Sequence, residues 1–346
     1  MKASLFHPKR ILLVKPSSLG DVIHAIPVVS AIHRHWPEAE LRWLVHPAWR
    51  SLIEGHPGVS EMILFPRDKF RGPAGWLRSL AWLQILRDWT PDLAIDLQGL
   101  MRSALFSRIS GASKVVGLSD AREGARLFHG ERVAVGRDEH AVSRYLRVLD
   151  QLGIPRAQEP EFILPEGRLP AGFDASAPYV VLHPYARGEG KSLSEVGIRA
   201  VIRGVTSLPA TMPTLTQPLR VIIVGRGEAL GDLPPQVEDW SNRTDLLELT
   251  AILRGASFII SSDSGPMHLA AALHPSRTLA IHLWSDPMKV GPCFPESLVW
   301  KNGRLSKVAD LDDSCRGEGR APTEAEMEEL GRRVAKQVTS SDGFIL

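Results

Sequence analysis

Short apolar runs recur along the chain, and between them apolar positions return every three or four residues. In the N-terminal half the runs are ILLVK from Ile11, ELRWLV from Glu40, EMILF from Glu61 and DLAIDL from Asp92. Helical spacing falls on residues 21–35, on AWRSLIEG and on WLRSLAWLQILRD. This alternation predicts parallel strands joined by helices. The segment Glu161 to Pro178, EFILPEGRLPAGFDASAP, is rich in Pro, Gly and Ala, lacks periodicity and reads as a linker. The pattern then restarts: YVVLHP, a helix around SEVGIRAVIRGV, RVIIVG, a helix near LLELTAILRGA, FIISSD, a helix from Pro266, TLAIHLW and an amphipathic helix over TEAEMEELGRRVAKQV. The expected fold class is α/β, with domains over residues 1–165 and 178–322 facing each other across a cleft. The Pro- and Thr-rich piece 206–218 reads as an exposed excursion.

Composition agrees with two cores: 346 residues, 44% of them hydrophobic, exceed what one core absorbs. The chain has no uncharged apolar run of about 18 residues, and its N-terminus lacks a long apolar segment ending in small residues. The expectation is a cytoplasmic protein with neither membrane span nor signal peptide. Cys293 and Cys315 stand apart from any CxxC or histidine pair, which favours reduced thiols over a disulfide or a metal site. The net charge of +2 is uneven: residues 1–170 hold 23 Lys and Arg against 18 Asp and Glu, and residues 171–346 hold 18 against 21. The basic first half is the one expected to meet an anionic partner.

In open α/β sheets, ligands gather at the carboxyl ends of strands, where helix N-termini offer N–H groups to anions. Three stretches have that form. PSSLGD puts Ser17, Ser18 and Gly20 in a turn and Asp21 at a helix start, where an aspartate serves as an N-cap or as a base. FIISSDSGPMHLAAAL breaks at Ser262, Asp263, Ser264 and Gly265, then opens a helix at Pro266 with His268 in its first turn. Amides of that turn, with Ser264 and His268, suit a diphosphate, and Asp263 suits a sugar hydroxyl; a plain capping turn is the alternative. HPYARGEGKSL offers Arg187 and Lys191 to phosphate. Gly225, Gly227 and Gly231 follow GxGxxxG spacing, not the dinucleotide GxGxxG, so they mark a loop beside the same site, with Glu228 facing a ribose.

Taken in order, ILLVKPSSLGDVIHAIPVVSAI, HRHWPEAELRWLVHPAWRSLIEGHPGVSEMI, PDLAIDLQGLMRSAL, SDAREGARLF, HAVSRYLRVLDQLGIP and SSDSGPMHLAAAL resemble the bacterial heptosyltransferases, glycosyltransferase family 9. The likeness spans about residues 10–300, and the first half is most similar to the lipopolysaccharide heptosyltransferase I branch. It implies the GT-B fold, two Rossmann-like α/β/α domains, with a C-terminal helix and tail over 323–346 packing back toward the N-terminal domain. It implies inverting, metal-independent transfer of heptose from ADP-heptose to the Kdo of lipid A, with no cofactor and no nucleic-acid partner. Asp21 falls on the family's base, and donor contacts fall on Ser17, Ser18, Gly20, Arg187, Lys191, Glu228, Asp263, Ser264, Gly265 and His268. The anionic lipid-linked acceptor falls to Asp96, Gln98, Arg102, Arg122, His140 and Arg144, since arginine forks suit phosphates and carboxylates. For Asp96 and Gln98 the alternative is that they satisfy loop amides.

The implied location is the inner face of the cytoplasmic membrane, through a peripheral contact. Trp76, Leu77, Leu80 and Trp82 beside Arg71 and Arg78 are candidates for it, unless that helix faces the core. Three places depart from the family pattern: SLSEVG after Lys191 in place of a Trp-Pro pair, Tyr185 in the HPxA loop, and His282 to Pro287 in place of a Gly-Pro-Thr-Asp-Pro turn. They border the expected donor site, so another nucleotide sugar, a nucleotide-sugar 2-epimerase and a non-catalytic nucleotide-sugar binder stay open.

Overall fold

The computed structural model describes residues 6–65, 72–188, 190–207 and 219–339. Its contacts divide the chain into two compact units, Met1–Pro165 and Glu166–Leu346. The first unit runs β1 (Arg10–Val14), α1 (Leu19–His35), β2 (Glu40–Val45), α2 (Arg50–Ile53), β3 (Glu61–Leu64), α3 (Gly72–Trp89), β4 (Leu93–Asp96), α4 (Met101–Ile109), β5 (Lys114–Leu118), β6 (Glu131–Val133) and α5 (Ala141–Leu152). Its strands lie in the order β3-β2-β1-β4-β5-β6, every pair parallel. The central β1 and β4 are buried from Ile11 to Val14 and from Leu93 to Asp96, as strands covered on both faces must be. Helix α1 is buried almost throughout from Val22 to Ile32, so it is apolar all round rather than striped. Helix α5 lies against it and buries one face, Val142, Tyr145, Val148 and Leu149.

The second unit runs β7 (Tyr179–His183), α6 (Glu195–Thr206), β8 (Arg220–Ile223), β9 (Val237–Asp239), α7 (Leu246–Gly255), β10 (Phe258–Ser262), α8 (Gly265–Leu273), β11 (Thr278–Ile281), α9 (Pro287–Val290), β12 (Leu298–Lys301), β13 (Arg304–Lys307) and α10 (Glu324–Thr339). The sheet order β13-β12-β11-β10-β7-β8-β9 repeats that of the first unit, counted from β7, with β13 added antiparallel on β12. Each sheet thus has a point where the strand order reverses, β1 beside β4 and β7 beside β10, and there open α/β sheets form their crevices. Helix α10, expected to return toward the N-terminal half, buries Met327, Leu330, Val334 and Ala335 in the core of the second unit and crosses α6. Two glycines allow that crossing: a Cβ on Gly204 would stand 2.1 Å from Glu328 O, and one on Gly331 would stand 2.4 Å from Val201 O.

Among the described residues no helix is long and apolar enough to cross a membrane. In α3, Trp82 belongs to the core: it packs on Phe65 and Phe106 and its indole N–H donates to Leu64 O at 2.8 Å, which removes it from the expected membrane face. Arg78 is exposed, while Arg71 and the side chains of Trp76, Leu77 and Leu80 lie outside the described residues, as does 208–218 of the Pro- and Thr-rich excursion.

Candidate active site

At the end of β1 the chain turns through Lys15-Pro16-Ser17-Ser18 into α1, with Ser18 as N-cap and Asp21 as the third residue of the helix. The Asp21 carboxylate reaches back to accept from Ser18 N at 3.0 Å and Ser18 Oγ at 2.9 Å, both on Oδ2. Its other oxygen, Oδ1, accepts from the Tyr145 hydroxyl at 2.8 Å and lies 3.3 Å from the Lys15 ammonium. That ammonium also donates to Leu97 O at 3.2 Å and sits 4.9 Å from the Tyr145 ring centre. Lys15 is 3% exposed at its side chain and Asp21 37%, so the carboxylate is open to an incoming molecule and its counter-ion is not.

Burial alone would raise the Asp21 carboxyl, but the Lys15 charge, the Ser18 N–H and the Tyr145 hydroxyl outweigh it and hold the group well below the usual carboxylate range. Burial lowers Lys15, with partial compensation from Asp21, and burial with the Asp21 charge drives Tyr145 well up, so its hydroxyl stays a donor. Lys15 and Tyr145 were not singled out from sequence. The burial of both and their contacts with Asp21 mark them as parts of the site.

Among the expected acceptor residues, Asp96 is displaced from that role. It is fully buried, Oδ1 accepts from Gln98 N at 3.0 Å and Gly99 N at 3.1 Å, and Oδ2 accepts from Ser103 Oγ at 3.0 Å and faces His129 Nε2 at 2.9 Å. A carboxylate so enclosed shapes the loop after β4 and has no face left for a ligand. Gln98 accepts from Ser17 N at 3.3 Å through Oε1, which ties this loop to the turn before Asp21. Arg144 pairs with Asp120 and Arg102 lies over the Phe65 ring at 5.3 Å, while Arg122 is exposed. His140 caps α5 by accepting from Val142 N at 3.2 Å, and its ring meets His24 edge-on.

The crevice end of the second sheet is built differently. His183, the last residue of β7, is buried and puts Nδ1 3.2 Å from Ser261 Oγ and 3.3 Å from Ser264 Oγ. Burial brings its imidazole down to about 4, so it is neutral at pH 7. Ser264 caps α8 by position, yet its hydroxyl donates to Ser262 O at 3.1 Å and makes no bond to the first turn of the helix, where Gly265, Pro266 and the half-buried His268 stand. Asp263 Oδ2 accepts from Ser285 Oγ at 2.5 Å, and Ser285 Oγ lies 2.8 Å from His282 Nδ1. Lys191 is half-buried, with its ammonium 5.1 Å from the Trp284 ring centre, and Arg187 is exposed. Tyr185 donates to Glu228 O at 3.0 Å with its ring against the glycine loop, where a Cβ on Gly227 would stand 2.1 Å from it. The Glu228 carboxylate is on an exposed residue; its backbone, not its side chain, is what the loop uses. His183 was not singled out from sequence and Ser285 stood there only within the 282–287 departure, although His183 ends a buried apolar strand, a costly place for an imidazole without partners. Among the described residues no group of three or more His, Cys, Asp or Glu has the arrangement of a metal site.

Two Rossmann-like units, each with a polar cluster where its strand order reverses, make up the GT-B fold. The chain belongs to glycosyltransferase family 9 (heptosyltransferase), whose family model matches residues 80–207 and 229–319. Lipopolysaccharide heptosyltransferase 1 of Pseudomonas aeruginosa is 30% identical over 328 residues, covering 84% of this chain and 88% of that one. The lipopolysaccharide core heptosyltransferase OpsX of Haemophilus influenzae is 24% identical, with 82% of each chain covered. Among solved structures, the E. coli heptosyltransferase WaaC with ADP shares the fold at a TM-score of 0.70 and 22% identity, covering 95% of this chain and 98% of that one.

Proposed function

We propose that this enzyme transfers a heptose from ADP-heptose, with inversion, to the Kdo of a lipid-linked inner-core acceptor. The observation that carries the reading is Asp21: a half-exposed carboxylate at the reversal point of the first sheet, kept ionised by a buried ammonium and three other donors. Such a group accepts a proton from a hydroxyl as that oxygen bonds to the anomeric carbon, while the bond to the diphosphate breaks and ADP leaves with its electron pair. The low affinity of Asp21 for protons means it is never blocked by one near neutrality. The second unit supplies the donor contacts: Lys191, Arg187 and the first-turn amides of α8 meet the growing negative charge on ADP, and Asp263 meets a sugar hydroxyl. Arg122 and Arg102, exposed on the basic unit, meet the anionic acceptor. The relatives support donor and acceptor, since their names are those of lipopolysaccharide heptosyltransferases and a neighbour of the same fold holds ADP-2-deoxy-2-fluoro heptose. The enzyme works at the cytoplasmic face of the membrane that carries its acceptor.

The test is ADP release from ADP-L-glycero-β-D-manno-heptose, with and without Kdo-lipid A. Acceptor-dependent release that collapses in Asp21→Ala supports the reading. Release from the nucleotide sugar without acceptor, or a changed sugar on the nucleotide, refutes it in favour of hydrolysis or epimerisation.

A further inference from the structure

The turn from β11 to α9, residues 282–286, touches two of the residues assigned above to the donor, and it is held in place from below. Lys301 is 2% exposed, and its ammonium donates to Ser285 O at 2.7 Å and Gly317 O at 2.5 Å. Asp286 caps α9 by accepting from Met288 N at 2.9 Å. On this fixed turn Trp284 is 51% exposed, with the Lys191 ammonium over its ring at 5.1 Å. Ser285 gives its hydrogen to Asp263 Oδ2, so the contact between His282 Nδ1 and Ser285 Oγ is a donation from the ring. The unprotonated His282 Nε2 is buried and takes no partner among the described residues, which leaves this tautomer without competition.

We infer that the 282–286 turn is a positioning device for the nucleotide-sugar donor, in which the Trp284 ring pre-sets the Lys191 ammonium and the His282–Ser285 pair pre-sets the Asp263 carboxylate. The inference rests on the donor reading above. A lysine on a flexible stem must be ordered when it meets a diphosphate, and stacking on an exposed indole orders it beforehand. The Asp263 carboxylate is fixed through Oδ2, and Oδ1 takes no hydrogen bond among the described residues, so it remains for a ligand hydroxyl.

Titration calorimetry of the full chain with ADP tests the first half through a double-mutant cycle. Trp284→Leu is expected to weaken ADP about fivefold and Trp284→Phe about twofold or less, because a phenyl face still attracts the ammonium. In a Lys191→Ala background, Trp284→Leu is expected to add nothing. An equal loss in both backgrounds overturns the inference and makes Trp284 a direct ligand contact. For the second half, Ser285→Ala is expected to leave ADP affinity within about twofold while the preference for ADP-heptose over ADP falls about tenfold, and Ser285→Thr is expected to restore it. An unchanged preference overturns that half. Thermal melting checks that each variant is folded, and Trp284, being exposed, tolerates replacement. A wild-type chain that binds no ADP refutes the nucleotide reading and this inference with it, an outcome distinct from binding with additive mutational effects.

Discussion

At the end of β1 a buried ammonium and a half-exposed carboxylate face each other across 3.3 Å, whereas at the end of β7, which holds the same place in the other sheet, the polar groups are a neutral imidazole and serine hydroxyls. The strand order is shared, so the fold does not set this difference. Charge buried beside charge holds the Asp21 carboxyl below its ordinary range, so the proton acceptor proposed here stays ionised into acid. Around that neutral strand end stand Lys191, Arg187 and the first-turn amides of α8, which on the proposed reading hold an anion without taking a proton from it. On the proposed reading the same kind of crevice serves two chemistries, and loop composition decides which.

The sharpest way to break this division is to remove one residue from each side. Asp21→Ala is expected to lower acceptor-dependent transfer about 10³-fold, the middle of the range for a general base, and to leave ADP affinity within about twofold. Lys191→Ala should do the reverse in calorimetry, weakening ADP about tenfold or more as a charge-assisted contact is lost. A loss of ADP binding in Asp21→Ala would dissolve the assignment of separate tasks to the two units.

The contrast extends to the fourth strand of each sheet, which ends in Asp96 in one unit and Ser262 in the other. Asp96→Ala removes an acceptor from two backbone N–H groups, from Ser103 Oγ and from His129, and is expected to cost about 3 kcal/mol or more, since each buried donor left unsatisfied costs about 1–3 kcal/mol. Ser262→Ala removes one hydrogen bond, from its hydroxyl to Pro184 O at 2.8 Å, and is expected to cost about 1 kcal/mol. Denaturant midpoints of the two variants check the ratio. Equal losses would mean that the Asp96 network adds no more than a single bond.

A smaller effect, visible in pH dependence, follows from Lys15. The folded carboxyl of Asp21 lies below its ordinary value of 3.8, so it contributes stability that is fully present above that value and is lost as pH falls through the folded value. Its activity limb lies equally low, and wild-type kcat/KM is expected to show no loss from Asp21 between about pH 8 and pH 5. Lys15→Met removes the largest effect that lowers the group while burial, which raises it, remains. The acid limb should then move to higher pH. A profile unchanged in Lys15→Met would show that Ser18 and Tyr145 suffice, and that the buried ammonium serves packing.

Much of this was legible in the sequence, and the rest was not, for reasons of geometry. Runs such as ILLV and FIIS, repeated between helical patterns, read as strands of a parallel sheet, and the turn SSLGD marks the helix start at Asp21, whose role as base came only with the family resemblance. The short β9, β12 and β13 went unread, because strands of three or four residues carry too little periodicity. Asp96 was misplaced because its value depends on a partner, His129, that no local pattern brings near. Trp284 showed as a departure from the family, yet its stacking under Lys191 depends on two loops from different strand ends.

Two tyrosines differ in the same way. Tyr145 donates to the Asp21 carboxylate at 2.8 Å and Tyr185 donates to the Glu228 carbonyl at 3.0 Å. Hydrogen bonds to charged groups contribute about 1.5–3 kcal/mol and neutral ones about 1 kcal/mol, so the phenylalanine variants should separate by site as well as by size. Tyr145→Phe is expected to move the acid limb of kcat/KM upward, in the same direction as Lys15→Met but less, since the hydroxyl ranks below the ammonium among the causes that lower Asp21. Tyr185→Phe keeps the ring against Gly227 and loses only the bond to Glu228 O, so it should raise the KM for the nucleotide sugar about threefold or less, without moving the limb. A shift of the limb in Tyr185→Phe would mean that the second unit influences the protonation of Asp21, and the proposed division of tasks between the two units would fail.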